Sequence, residues 1–98
     1  MAELRFEWDH AKDIANQRKH AVAFNEAASV FSDERALLLD DPDHSTEEER
    51  FVLVGLSSAL RLIVVHHTFR AGGDVIRLIS ARKATRAERA QYFRRWRL

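Results

Sequence analysis

Between residues 50 and 82 the chain alternates apolar, largely β-branched runs with short polar breaks. The runs are 51–56, 62–69 and 75–80. Ser57-Ser58-Ala59 separates the first two and Arg70-Ala71-Gly72-Gly73-Asp74 the last two. Runs of this length bounded by turn residues predict strands, and connections this short join antiparallel neighbours. Upstream, Leu4-Arg5-Phe6-Glu7-Trp8 alternates apolar and polar positions, as a short edge strand does. Asp9 is placed as an N-cap for a helix over 10–20, with Ala11, Ile14 and Ala15 on one stripe and Lys12, Asp13, Asn16 and Lys19 outside it. Asn25 is the expected cap of a second, short helix whose apolar side is Ala27, Ala28 and Phe31, and 36–39 predicts a buried strand. Thr85-x-x-Glu88 is a capping box that opens a last helix running from 86 to about 97, with Tyr92, Phe93 and Trp96 on one face to dock it on the sheet or on a partner. The order is β-α-α-β-β-β-β-α. It predicts a single α+β domain over residues 1–98, an antiparallel sheet with the helices to one side.

Composition narrows the chemistry. Ninety-eight residues suffice for one core. No cysteine is present, so disulfides and thiolate metal sites are excluded and a reducing compartment fits. No apolar run approaches the roughly 18–20 residues of a membrane span, and the N-terminus lacks the apolar core of a secretory signal. A cytoplasmic protein with no membrane partner is expected. The net charge of +1 conceals an asymmetry. Residues 33–49 carry eight acids against one arginine, and residues 82–98 carry seven bases against one acid. Such separation suits a basic surface for nucleic acid or an acidic partner, and equally two solvated faces that attract each other. Asp41-Pro42-Asp43-His44 offers oxygen and imidazole donors but lacks EF-hand spacing, so no metal is expected.

A family pattern runs through nearly the whole chain. It includes Phe6-Glu7-Trp8-Asp9, Lys12, Asn16, Lys19-His20, Val22, Phe24, Ala28 and Val30-Phe31, then Asp41-Pro42-Asp43-His44-Ser45 and Glu48-Glu49-Arg50-Phe51. It continues through Gly55-x-Ser57, Arg61-Leu62, His67-Thr68, Ile76-Arg77 and Ile79-Ser80-Ala81-Arg82-Lys83-Ala84-Thr85. Together these resemble the BrnT family of toxins from bacterial type II toxin–antitoxin pairs. The resemblance implies a RelE-like fold, a ribonuclease activity that shuts down translation, and neutralisation by a BrnA-type antitoxin. Operator DNA would be met only indirectly, through that antitoxin. The sequence departs from the pattern twice: Ala21 stands where the family commonly has Gly, and Phe69 where it often has Glu. A carboxylate role at 69 is excluded.

Metal-free RNA cleavage needs a base for the 2′-hydroxyl, an acid for the 5′-oxygen and cations for the phosphorane. Imidazole and guanidinium are the natural carriers of those tasks. No P-loop, GxSxG or Cys–His pair points to other chemistry, and no cofactor is implied. The expected catalytic cluster is Lys19, His20, Glu49, Arg61, His67 and Arg82, with Arg50, Phe51, Arg77 and Lys83 binding RNA. Lys19, Arg61 and Arg82 would hold the phosphate, and His20, His67 or Glu49 would move protons. A two-residue turn at Ser58-Ala59 would set Leu56 opposite Arg61 and Arg50 opposite His67, placing Arg50, Arg61 and His67 on one face and Glu49, Phe51, His66 and Thr68 on the other. A turn centred on Gly72 puts Arg77 beside His67. A Gly72-Gly73 turn instead puts it opposite Thr68, next to His66. Two other readings stand beside the enzyme: a non-catalytic module acting through the antitoxin as an operator co-repressor, and a protein-interaction domain that uses the basic last helix.

Overall fold

Apolar residues fall on both faces of the central strands, so the sheet needs cover on two sides. A computed structural model describes residues 4–40 and 49–96. The strands are β1 (Arg5–Glu7), β2 (Leu37–Asp40), β3 (Phe51–Leu56), β4 (Leu62–Arg70) and β5 (Val75–Lys83), joined in one sheet in the order β1-β5-β4-β3-β2. The helices are α1 (His10–His20), α2 (Phe24–Ser29) and α3 (Arg86–Arg94), with 3-10 turns at Val30–Ser32 and Ala71–Gly73. The element order is the one the periodicities predict.

Two features of the layout correct the expectation. First, β1 pairs with β5 in parallel, with Phe6 beside Ile76, while the other three pairings are antiparallel. Most of the chain intervenes between these two strands, so no tight turn forces their direction. Second, the helices do not share one side. One face of the sheet packs Leu53, Ile63, Val65, Ile76, Leu78 and Ala81 against Val22, Phe24, Ala27 and Val30 of the α1–α2 region. The other face packs Val54, Leu62 and Val64 under Tyr92 of α3. That second apolar row needs its own cover, and α3 supplies it.

Local chemistry explains how the elements start and stop. The Asp9 carboxylate accepts from the N–H groups of Ala11 and Lys12, and the Thr85–Glu88 capping box forms in full. Asn25 does not cap α2, contrary to expectation: the helix begins at Phe24, whose N–H is taken by the Asp13 carboxylate of α1 at 2.9 Å. A neighbouring helix thus does the capping. Helix α1 ends in a left-handed residue, Ala21, with φ of 59°. Alanine there costs about 1 kcal/mol relative to the glycine the turn favours. Buried Asn16 fastens α1 to the sheet, donating to the Val22 and Ala81 carbonyls at 2.8 and 2.9 Å and accepting from the Ala81 N–H at 3.1 Å.

The β3–β4 register is shifted by one residue from the predicted one. Leu56 pairs with Leu62, Phe51 with His67 and Val52 with His66. The loop spans 57–61 because the Ser57 hydroxyl accepts from the Ala59 and Arg61 N–H groups and Leu60 adopts a left-handed conformation with φ of 60°. Between β4 and β5 a bulge falls after His66, so that His66 pairs with Ser80, His67 with Leu78 and Thr68 with Arg77. Arg77 therefore takes the second of its two predicted positions.

Candidate active site

The ten residues singled out in the sequence do not form one cluster; the fold distributes them over three places. At one corner, the end of α1 meets the start of β4 and the end of β5. Arg61 grips the Glu26 carboxylate with Nε at 2.9 Å and with Nη2, and Nη2 also donates to the Ala21 carbonyl at 3.0 Å. The Ser57 hydroxyl donates to the same carboxylate at 2.6 Å. The Arg61 hydrogen bond holds Glu26 below the ordinary carboxylate range against the opposing effect of burial, with Ser57 and the Lys83 charge adding to it. Lys19 is exposed and His20 half-buried in the last turn of α1, beside the carbonyl that Arg61 holds. Arg61 is thus a structural tie as well as a cation. Two N–H donors of its five, both on Nη1, remain for a ligand.

His67 lies elsewhere, about 20 Å along β4 from Arg61 at roughly 3.3 Å per residue. It is fully buried on the α1–α2 face. Its ring is edge-on to Phe31 at 4.8 Å and to Phe69 at 5.3 Å, with Phe51 at 6.1 Å. Nδ1 lies 3.2 Å from the Val65 carbonyl, which can only accept, so Nδ1 carries the proton. Nε2 has no hydrogen-bond partner among the described residues. Burial pushes this imidazole below its ordinary pKa, the Val65 carbonyl opposes the shift, and the His66 charge adds to it. A side chain so enclosed cannot reach RNA in this conformation. Phe51, expected as an RNA contact, is half-buried in the same aromatic group.

The third place is the α3 face of the sheet, beyond the part that Tyr92 covers. Because His67 points to the opposite side, strand alternation brings His66 here, with Ser80 across from it and Thr68 next along β4. Arg77 and Arg82 of β5 flank that pair on the same face. Arg82 forms a two-pronged pair with Glu88 of α3, Nη1 at 2.7 Å and Nη2 at 2.8 Å, and Nη1 also reaches the Lys83 carbonyl at 3.3 Å. Two donors, on Nε and Nη2, remain for a phosphate. The Arg82 hydrogen bonds draw Glu88 down to about 2, against burial and helped by the Thr85 N–H. Glu88 does two jobs: it closes the capping box and aims Arg82. Arg77 lies 3.6 Å from Glu7, which Arg70 also meets at 3.3 Å. Glu49 is exposed just before β3, and its carbonyl takes the Thr68 hydroxyl at 2.6 Å. Arg50 follows it, half-buried.

Sequence reasoning passed over His66 in favour of His67, and missed Glu88 and Glu26 as parts of these groups. The signal for His66 was present. Residues 67 and 69 are His and Phe, whereas 66 and 68 are His and Thr, so the 66/68 face is the more polar one. Among the described residues no three His, Asp or Glu side chains converge as metal ligands, and the Asp41-Pro42-Asp43-His44 segment lies outside the described residues. Among them, no helix is long and apolar enough to cross a membrane.

The fold is similar to the 1.1 Å-resolution crystal structure of the Brucella abortus ribonuclease toxin BrnT, with a TM-score of 0.62 and 23% sequence identity over 86% of this chain and 100% of that one. No curated protein sequence matches. The family model described as the ribonuclease toxin BrnT of type II toxin–antitoxin systems matches residues 8–88. With a match over most of its length, the chain belongs to the BrnT family of type II ribonuclease toxins.

Proposed function

We propose that this chain is a metal-independent endoribonuclease toxin that cleaves RNA, halts translation and is neutralised by a BrnA-type antitoxin, meeting operator DNA only through that partner. The observation that carries the reading is the row on the α3 face, where His66 stands between Arg77 and Arg82 and Glu88 holds Arg82 in a fixed orientation. An imidazole flanked by guanidinium groups is what 2′-hydroxyl attack on phosphorus requires. In this reading His66 takes the 2′-hydroxyl proton as the oxygen attacks, and Arg82 and Arg77 stabilise the phosphorane. The bond to the 5′-oxygen then breaks, with Glu49, tethered beside Thr68, as the second proton carrier. Arg50 helps to bind the backbone. Lys19, His20, Arg61 and Lys83, at the far corner, bind flanking phosphates.

The test is cleavage of RNA by the purified chain in excess chelator, for the parent, His66→Ala and Arg82→Ala. The parent retains full activity in chelator. Each variant keeps its fold and antitoxin binding and loses roughly 10²–10³-fold in rate, the scale of removing one transition-state donor. An active His66→Ala variant sinks this site. Absence of cleavage by the parent, with retained antitoxin-dependent operator binding, favours the co-repressor reading. Activity lost in chelator and restored by a divalent ion sinks the metal-independent chemistry.

A further inference from the structure

Of the three aromatic residues expected to dock the last helix, only Tyr92 does so. It is fully buried, and its hydroxyl donates to the Asp33 carboxylate at 2.6 Å. Phe93 and Trp96 remain 40% and 46% exposed, too open to be core residues. Each carries a guanidinium over its ring: Arg89 lies 5.6 Å from the Phe93 centroid and Arg35 lies 4.2 Å from that of Trp96. The two rings are 6.0 Å apart, and Arg94 and Arg95 follow directly after Phe93. None of these four arginines is ion-paired among the described residues. Arg61, Arg70, Arg77 and Arg82 of the sheet and its loops all have carboxylate partners. Among the described residues, four guanidinium groups not engaged by carboxylates therefore sit around two exposed rings.

We infer that this surface, Phe93 and Trp96 with Arg35, Arg89, Arg94 and Arg95, is a capture site for single-stranded RNA, separate from the cleavage row. The inference rests on the ribonuclease reading above. Single strands are held without sequence preference by this combination: planar rings for the bases, and unpaired cations for the phosphates. An acidic protein segment would also meet the charge. It would want a contiguous apolar patch as its anchor, however, and here each ring is bordered by guanidinium groups instead. The arginines already stacked on the rings suit RNA better, since a guanidinium can stay against its ring and donate in-plane N–H groups to a phosphate.

The test uses the full chain and a single-stranded oligoribonucleotide with every 2′-hydroxyl methylated, so that binding is read without cleavage. Trp96→Ala and Phe93→Ala each weaken binding about tenfold. The pair Arg94→Ala and Arg95→Ala together lowers the slope of log affinity against log salt by about 1.4, at about 0.7 for each phosphate no longer neutralised on a single strand. Unfolding midpoints stay at the parent value, which separates a binding defect from a folding defect. Variants that bind as tightly as the parent overturn the capture surface and leave the cleavage reading standing. Variants that keep RNA affinity but no longer co-purify with a co-expressed antitoxin also overturn it, giving the surface to the protein partner. A parent chain that binds no RNA overturns both readings together.

Discussion

The arginines of the sheet and those of the last helix are the same side chain put to opposite uses. On the sheet and its loops, Arg61, Arg70, Arg77 and Arg82 each face a carboxylate, and the deeply buried imidazole of His67 is kept neutral by burial. Around the last helix, Arg35, Arg86, Arg89, Arg94 and Arg95 carry no ion pair among the described residues. A paired guanidinium is oriented but partly neutralised, whereas an unpaired exposed one keeps its charge and attracts at a distance. Positioning and attraction are thus assigned to different regions, and five substitutions measure how sharply.

The largest effect on stability is expected from Glu26→Ala, which strands Arg61 beside the end of α1. Both side chains are mostly buried, at 16% and 33% exposure, so after allowance for solvent screening the loss should be about 1–3 kcal/mol in denaturant unfolding. A loss below about 0.5 kcal/mol would erase the distinction between paired and unpaired arginines. Glu88→Gln comes next. Its folded pKa of about 2 lies below the ordinary 4.5, so its stabilisation is complete above about pH 4.5 and fades as pH falls towards 2. The variant should lose about 1–2 kcal/mol at neutral pH, discounted for exposure, and the loss should shrink on acidification. His67→Phe tests the suppressed cation. With the folded pKa lowered from 6.5, the native state loses stability as pH falls below that value, because only the unfolded chain takes up the proton. Removing a ring nitrogen with no partner among the described residues should be neutral or stabilising by up to about 1 kcal/mol, with a growing advantage towards about pH 5 and no loss of cleavage. A cleavage defect with the fold intact would return His67 to the reaction. The smallest effect belongs to Arg94→Ala and Arg95→Ala, each expected within about 0.5 kcal/mol of the parent in stability.

How much of this was legible depended on the range of the interaction. Element order follows from local periodicity, and Thr85 and Glu88 form their cap three residues apart, so both were readable. Face assignment was harder. Leu62, Ile63, Val64 and Val65 are all buried, so period-two alternation carries no signal there, and only Thr68 against Phe69 marks the polar side. The one-residue register error came from a left-handed Leu60, an uncommon conformation for a branched side chain that no sequence rule selects. The arginine partners were less legible still. Glu26 and Arg61 are 35 residues apart, and only the completed packing of α2 against β4 brings them together. The predicted site accordingly chose cations by type and could not know which were already committed.

Asn16 has a consequence for the order of events during synthesis. It bonds both backbone groups of Ala81, 65 residues further on; β1 joins the sheet through β5, and Asp33 receives Tyr92 from 59 residues away. The N-terminal helix is made early but has no seat until nearly the whole chain has emerged. Contacts of such long sequence separation are formed late and slow the search for the native state. A truncated chain that stops before residue 81 therefore lacks both the fastening for α1 and Arg82 at the end of β5. A ribosome still translating this chain is consequently exposed to an unfinished product, with neither a settled first helix nor a complete row of His66, Arg77 and Arg82.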